Sequence, residues 1–216
     1  MMEVYNSDEE QVEALKRWWK ANGTSIIAGV VVGIAIIGGW NFWKSNQEQK
    51  ALQASAMYEQ LLQATKEDKS ETVIKISEAL TKEFDSTPYA ELGLLLGAKA
   101  KIQSNELPAA KEILSKLQSD SDFVIKNLAT IRKIRTMLAT GEYEPGLQLI
   151  ADMEPQSSES FSGVYEELKG DLYVALNRLG VARTAYQNAL RAGTFSPLLQ
   201  SKLDDISVPE TEEVKE

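Results

Sequence analysis

Residues 21–43 read ANGTSIIAGVVVGIAIIGGWNFW and contain no charged side chain. Lys20 precedes this apolar stretch and Lys44 follows it. In an α-helix, 23 residues cover about 35 Å, which is enough to cross the roughly 30 Å hydrocarbon core of a bilayer. The stretch therefore predicts a single N-terminal transmembrane helix.

A buried core helix and a cleaved signal peptide are the two other interpretations of residues 21–43. The apolar region of a signal peptide is usually about 7–15 residues long and ends at small residues that permit cleavage. Here the stretch is longer and ends with Trp40, Phe42 and Trp43. Tryptophan is enriched at membrane–water boundaries, and residues 18–19 (WW) supply a matching pair at the other end. An uncleaved span is therefore favoured.

The basic residues beside the span predict its orientation. Three lie before it and two after it: Lys16, Arg17, Lys20, Lys44 and Lys50. Because Lys and Arg near a span favour the cytoplasmic side, residues 1–20 are expected to form a cytoplasmic tail and the large domain to lie outside. Within that tail, residues 11–19 (QVEALKRWW) have apolar side chains at helical spacing. This spacing predicts a short amphipathic helix at the membrane surface.

Small residues recur within the span. Ser25, Gly29 and Gly33 are four residues apart, and small residues at this spacing let a second helix approach closely. We expect these three residues to form a docking face for a partner helix. The alternative is that glycine is simply frequent in membrane helices, and the spacing alone does not decide between the two.

Composition disfavours several classes of function. Beyond Lys44 the chain has 19 Lys and Arg against 27 Asp and Glu, which argues against nucleic acid because its phosphates require basic surfaces. The chain has no cysteine and no histidine. Disulfides, thiol nucleophiles, His-based triads and Cys or His metal ligands are therefore excluded. We predict a protein that is not an enzyme, with no catalytic residues, cofactor or metal site.

The rest of the chain predicts helices. Residues 44–66 lack Gly and Pro and favour a helix that can continue the span. Residues 68–71 (DKSE) predict a capping box, and Pro88 predicts a helix start. No run of alternating β-branched residues indicates a strand. The sequence therefore predicts an all-α domain over residues 44–206, followed by an acidic tail, residues 207–216, that we expect to be disordered.

Internal repeats predict how these helices are arranged. Four polar turns, each followed by a helix start, end at positions 74, 110, 146 and 182, a constant interval of 36 residues. A constant interval between helical pairs is typical of a solenoid. In the last pair the tetratricopeptide pattern is matched by Gly170, Tyr173, Ala182, Tyr186, Ala189 and Leu190. The prediction is a tetratricopeptide-like solenoid of helical hairpins.

The repeat also predicts a binding groove. In tetratricopeptide stacks the first helix of each pair lines the concave face. The 36-residue interval places nine residues there: Leu95, Lys99, Ile102, Ile131, Arg135, Leu138, Val164, Asp171 and Val174. Several are apolar, and exposed apolar patches usually mark contact sites. The alternative is an error of one residue in the repeat register, which would place these side chains in the core.

The N-terminal block, the span and the repeats together resemble one known family. Residues 11–22 (QVEALKRWWKAN), a glycine-rich span ending GWNFW, and repeat-containing helices are similar to the YfgM family of Gram-negative bacteria. The resemblance implies a single-pass inner-membrane protein with a periplasmic tetratricopeptide-like domain, acting as an ancillary subunit of the Sec translocon. It also implies a membrane-anchored, prolyl-isomerase-like chaperone as a partner, which the protein would assist in handling secreted proteins.

Two classes of binding function remain open at this point. In the first, the solenoid holds partners at the periplasmic face of the inner membrane, with unfolded secretory clients as further candidates. In the second, the protein is a regulatory tether whose cytoplasmic tail restrains a signalling or cell-division protein. An enzyme is disfavoured because the chain has no His and no Cys, and because its closely spaced glycines lie within the span, where a phosphate-binding loop makes no sense.

Overall fold

The computed structural model of the chain describes residues 8–153, 159–194 and 197–206. Within these ranges every regular element is an α-helix and none is a strand, so the all-α prediction is confirmed. The helices are α1 (Asp8–Lys66), α2 (Ser70–Glu83), α3 (Pro88–Gln103), α4 (Leu107–Asp120), α5 (Phe123–Ala139), α6 (Tyr143–Met153), α7 (Glu159–Ala175), α8 (Leu179–Arg191) and α9 (Pro197–Asp205). The predicted acidic tail, residues 207–216, lies outside the described residues.

The chain divides into two compact units, Met1–Leu52 and Gln53–Glu216. Helix α1, most of which lies in the first unit, is long and apolar enough to cross a membrane. Among the described residues it is the one helix with this property. None of the large apolar side chains from Ile26 to Ile37 is buried. A buried core helix is therefore excluded for residues 21–43, and the exposed apolar surface fits a membrane-anchored protein.

The length of helix α1 bears on the predictions for residues 44–66 and residues 11–19. It runs from Asp8 to Lys66 as one element, so residues 44–66 continue the span as predicted. Residues 11–19 are helical within α1, and their position at the membrane surface stays a prediction.

The second unit is built of helical pairs whose internal turns share one backbone conformation. The turn residues Asp68, Asn105, Gly141 and Asn177 have positive φ angles of 52°, 61°, 79° and 57°. After each of them the next N–H bonds back to a carbonyl five residues earlier, as from Glu106 to Lys101 O at 2.8 Å. This hydrogen bond closes the first helix of the pair in a Schellman-type end. The four-hairpin prediction is confirmed by these turns.

The repeat interval and the cap of α2 differ from the predictions. The four turn residues are 37, 36 and 36 positions apart, so the constant interval of 36 is wrong for the first pair. The predicted capping box at residues 68–71 is also wrong. The N-cap of α2 is Lys69, which makes no side-chain capping bond, because Asp68 adopts the left-handed conformation that ends α1. Pro88 begins α3 as predicted.

Three of the four clusters of the hydrophobic core combine residues from neighbouring pairs, and the fourth joins α8 to the terminal helix α9. One joins α1 to α2 and α3, a second joins α3, α4 and α5, and a third joins α5, α6 and α7. Their fully buried members include Leu61 and Leu80, then Ala98 and Leu114, then Ile134, Ile150 and Leu172. In the part of the chain that the structure describes, each of the four pairs shares its core with a neighbouring element, which is the defining property of a solenoid.

A buried polar contact joins α5 to α7 within this core. The Tyr165 hydroxyl donates to Asn127 Oδ1 at 2.8 Å, and Asn127 Nδ2 donates to Phe123 O at 2.7 Å. Burial raises the pKa of Tyr165 to about 12, so the phenol stays neutral and remains a donor. The two bonds satisfy polar groups that would otherwise destabilise the core.

Helix α9 covers the end of the stack, where it packs against α8. Lys202 Nζ on α9 bonds to Glu167 at 2.7 Å and to Asp171 at 2.8 Å, both on α7. The Tyr186 hydroxyl donates to the same Asp171 at 2.8 Å. Burial opposes the charged form of Lys202, but the bonds to Asp171 and Glu167 outweigh it and raise the pKa of the ammonium. The cap is therefore held by partly buried charges as well as by Leu199, which is fully buried.

The close crossing of α7 and α8 gives the first testable prediction. A Cβ atom on Gly170 would overlap with the ring of Tyr186, whereas one on Gly180 would meet nothing within 4 Å. Gly170→Ala should therefore lower the free energy of unfolding by about 1–3 kcal/mol. Gly180→Ala, the matched control on α8, should leave it within about 1 kcal/mol or raise it. Urea unfolding of the full chain in detergent measures the free energy of unfolding of both variants. Equal effects of the two substitutions would contradict the close crossing of α7 and α8.

Candidate binding groove

A groove lies between α3 and α5, beside the start of α4. It encloses a cavity of about 440 Å³. We call it the α3–α5 groove, and it is lined by Lys99, Ile102, Gln103, Leu107, Arg132, Arg135, Thr136 and Ala139.

Helical spacing explains why these side chains share one surface. The four residues from α5 are Arg132 and the residues three, four and seven positions later, which lie on one face of a helix. Lys99, Ile102 and Gln103 repeat the same spacing on α3. Leu107 is the first residue of α4 and adds an apolar side chain. The groove is thus formed by the facing sides of two successive first helices.

Arg132 connects the two sides of the groove. Its Nη1 donates to the carbonyl oxygen of Leu95 on α3 at 2.7 Å. Burial, and secondarily the charge of Arg135, lowers the pKa of the Arg132 guanidinium. Arginine nevertheless stays protonated in proteins, so Arg132 places a fixed, partly buried positive charge in the groove wall.

The groove is basic, although the chain is acidic. Three of its eight lining residues are cationic and none is acidic. Lys99 and Arg135 are exposed, and within the described ranges neither makes an ion pair. The neighbouring Lys101 is instead neutralised by Glu106 at 2.6 Å. The groove can therefore accept anionic groups without first breaking a salt bridge at these two cations.

Only part of the predicted groove lies on this surface. Lys99, Ile102 and Arg135 line it. Leu95 and Ile131 are only 4% and 6% exposed and belong to core clusters. Their predicted placement in a groove is therefore wrong, and the core alternative is correct for both.

The other predicted residues lie elsewhere. Leu138 and Val164 are half-buried against the core cluster of α5, α6 and α7. Asp171 is bound to Lys202 and Tyr186, and Val174 is exposed on α7. The structure does not place these four with the lining residues of the α3–α5 groove. Whether they contact partners stays a prediction.

Five lining residues were missed by sequence reasoning: Gln103, Leu107, Arg132, Thr136 and Ala139. Three of them follow from Arg135 by helical spacing, since Arg132 and Ala139 are three and four positions from Arg135, and Thr136 is four positions from Arg132. Helical spacing also explains why the predicted groove position of Ile131 is wrong. One residue turns a helical side chain by about 100°, which is enough to move Ile131 from the groove wall, where Arg132 lies, into the core.

The predicted docking face in the first unit is uncovered. Ser25 and Gly29 are exposed, and Cβ atoms built on Gly29 and Gly33 would meet nothing within 4 Å. The backbone of α1 at these glycines is therefore accessible to another helix. Docking of a partner at these residues stays a prediction.

Adjacent positions on α5 give the second testable prediction. Ile131→Ala removes a buried side chain and should lower the free energy of unfolding by about 2–5 kcal/mol. Arg135→Ala, the control, changes an exposed groove residue and should shift it by no more than about 0.5 kcal/mol. Chemical unfolding of the full chain compares the two variants. Equal stability of Ile131→Ala and wild type would return Ile131 to the groove.

Comparisons with known proteins identify the family. Residues 16–208 match the family described as "Tetratricopeptide repeat-like domain". Three relatives carry the name ancillary SecYEG translocon subunit. The protein of Aggregatibacter actinomycetemcomitans is 30% identical over 94% of this chain and 100% of its own length. That of Haemophilus influenzae is 28% identical over 88% of this chain and 93% of its own.

The third relative, from Escherichia coli K12, is 26% identical over 96% of this chain and 100% of its own length. No solved structure matches. The family match covers most of the chain, and the first relative is covered over its whole length. This chain therefore belongs to the tetratricopeptide repeat-like family of ancillary SecYEG translocon subunits.

Proposed function

We propose that this protein is a membrane-tethered, non-enzymatic binding subunit of the Sec translocon. It holds partner proteins on the periplasmic side of the inner membrane and assists a membrane-anchored, prolyl-isomerase-like chaperone in handling secreted proteins. The α3–α5 groove is the observation that carries this proposal. It is an open surface, framed by two helices, with apolar side chains and two exposed cations that make no ion pair within the described ranges.

Binding through such a groove needs no chemistry. Helical stacks bind helices or extended segments by fitting side chains into the space between neighbouring helices. Ile102, Leu107 and Ala139 supply apolar contact, while the exposed side chain of Gln103 supplies hydrogen-bonding groups. Because Arg132 is already bonded to the backbone of α3, the groove wall is preorganised, which reduces the entropy lost on binding.

Cross-linking tests the proposed function directly. Photo-reactive groups placed at Gln103, on the groove, and at Glu10, near the N-terminus, should capture different partners. Capture of translocon or chaperone subunits from Gln103 supports the proposal. Capture of a signalling or cell-division protein from Glu10, with nothing captured from Gln103, would favour the regulatory tether.

Topology is the third testable prediction. The proposal places residues 1–20 in the cytoplasm and residues 44–206 in the periplasm, because three basic residues precede the span and two follow it. Protease added to spheroplasts should therefore digest residues beyond Lys44 and spare the N-terminus, which should be uncleaved. The matched control is the same protease on inverted vesicles, which should remove only the N-terminal tail. The reverse pattern, or a mature protein that begins near residue 40, would contradict it.

The transmembrane docking face gives the fourth prediction. Gly29→Leu with Gly33→Leu keeps α1 apolar but holds a partner helix away from its backbone. Co-purification of SecYEG in mild detergent should fall severalfold, with membrane insertion unchanged. Ala28→Leu with Val32→Leu is the control, since it enlarges side chains on a face turned by about 100°. Equal retention of SecYEG by both variants would show that the glycines reflect only the ordinary composition of membrane helices.

A further inference from the structure

The charge of the α3–α5 groove is opposite to that of the protein around it. The whole chain has a formal net charge of −9, yet the groove presents Lys99, Arg132 and Arg135 with no carboxylate in its lining. A local cationic surface on an acidic protein selects anionic ligands, and the surrounding negative charge rejects most other acidic surfaces by repulsion. Such a ligand must therefore fit the groove closely.

The groove keeps its cations close together at an energetic cost. Arg132 and Arg135 are three residues apart on α5, a spacing at which like charges repel. Burial, and secondarily this repulsion, lowers the pKa of Arg132. Among the described residues no carboxylate is paired with Arg132 or Arg135. A bound carboxylate would relieve the repulsion and so gain affinity.

The shape and the remaining lining residues narrow the class of ligand. A cavity of about 440 Å³ is at the lower end of the range for sites that hold a drug-sized ligand, so it takes a few side chains rather than a folded surface. Ile102, Leu107 and Ala139 offer an apolar floor, which suits a peptide better than a purely ionic ligand. No aromatic side chain is present in the lining to stack nucleic-acid bases.

We propose that the α3–α5 groove binds an acidic, extended segment of a partner protein. Two of its carboxylates lie against Lys99 and Arg135, and an intervening apolar side chain lies on Ile102 and Leu107. This assignment rests on the proposed function and specifies the chemistry of the partner. On this assignment the groove selects its ligands by charge as well as by hydrophobicity.

Peptide binding to the purified full chain in detergent tests the assignment. The probe is a fluorescein-labelled peptide of Glu-Glu-Leu repeats, compared with the same peptide carrying Gln for every Glu. The Glu peptide should bind and the Gln peptide should bind at least about tenfold more weakly, because its ion pairs are lost. Fluorescence anisotropy gives both affinities, and rising salt should weaken only the Glu peptide.

Matched charge reversals locate the site. Lys99→Glu with Arg135→Glu should weaken the Glu peptide by at least about tenfold. Lys75→Glu with Lys82→Glu, on exposed positions of α2, changes the net charge equally and should leave the affinity within about twofold. Thermal unfolding by circular dichroism confirms that both variants fold.

Three results would overturn the assignment: equal binding of both peptides, equal effects of the two double variants, or binding only after residues 207–216 are removed. The last result would assign the groove to the acidic end of this chain instead of a partner. Failure of wild type to co-purify with SecYEG would instead contradict the proposed function, because the peptide measurement uses the isolated protein.

Discussion

Two hydrogen bonds between successive first helices hold the stack in register. Arg132 Nη1 donates to Leu95 O across 37 residues of sequence, and the Tyr165 hydroxyl donates to Asn127 Oδ1 across 38. Both are partly or fully buried, where a lost partner is far more destabilising than at the surface. The first bond ties α3 to α5 and the second ties α5 to α7. Apolar packing stabilises the stack, but these directional bonds specify how far each helix is shifted along the next.

The groove is a consequence of that register. Lys99, Arg135 and Asp171 occupy equivalent positions 36 residues apart, on three successive first helices. The first two face the groove as cations. The third is an anion bound by Lys202 and Tyr186. At this position the charge therefore changes sign at α7. The position that faces the proposed ligand site on α3 and α5 contacts the terminal helix on α7.

Sequence reasoning predicted the class of fold and much of its order, because charge-free length, helix periodicity and proline position act locally. Pro88 begins α3 for the reason that predicted it, since its missing N–H has no partner in the first turn. Asp68 shows where such local reasoning fails. Its side chain suited an N-cap, but its backbone ends α1 with a positive φ. The groove was predicted only in part, because the contrast between Ile131 and Arg132 depends on tertiary packing within one helical turn.

The predicted docking face on α1 and the α3–α5 groove depend on different physical interactions. In a bilayer, helices gain little from burying apolar side chains against one another, so association depends on close packing and lipid effects. Gly29 and Gly33 leave the backbone accessible for such packing. In the proposed complex, which forms in water, Ile102 and Leu107 gain affinity from apolar burial, while Lys99 and Arg135 discriminate by charge. In the proposed function the span therefore supplies attachment with modest selectivity, and the proposed selection among soluble partners depends on the groove.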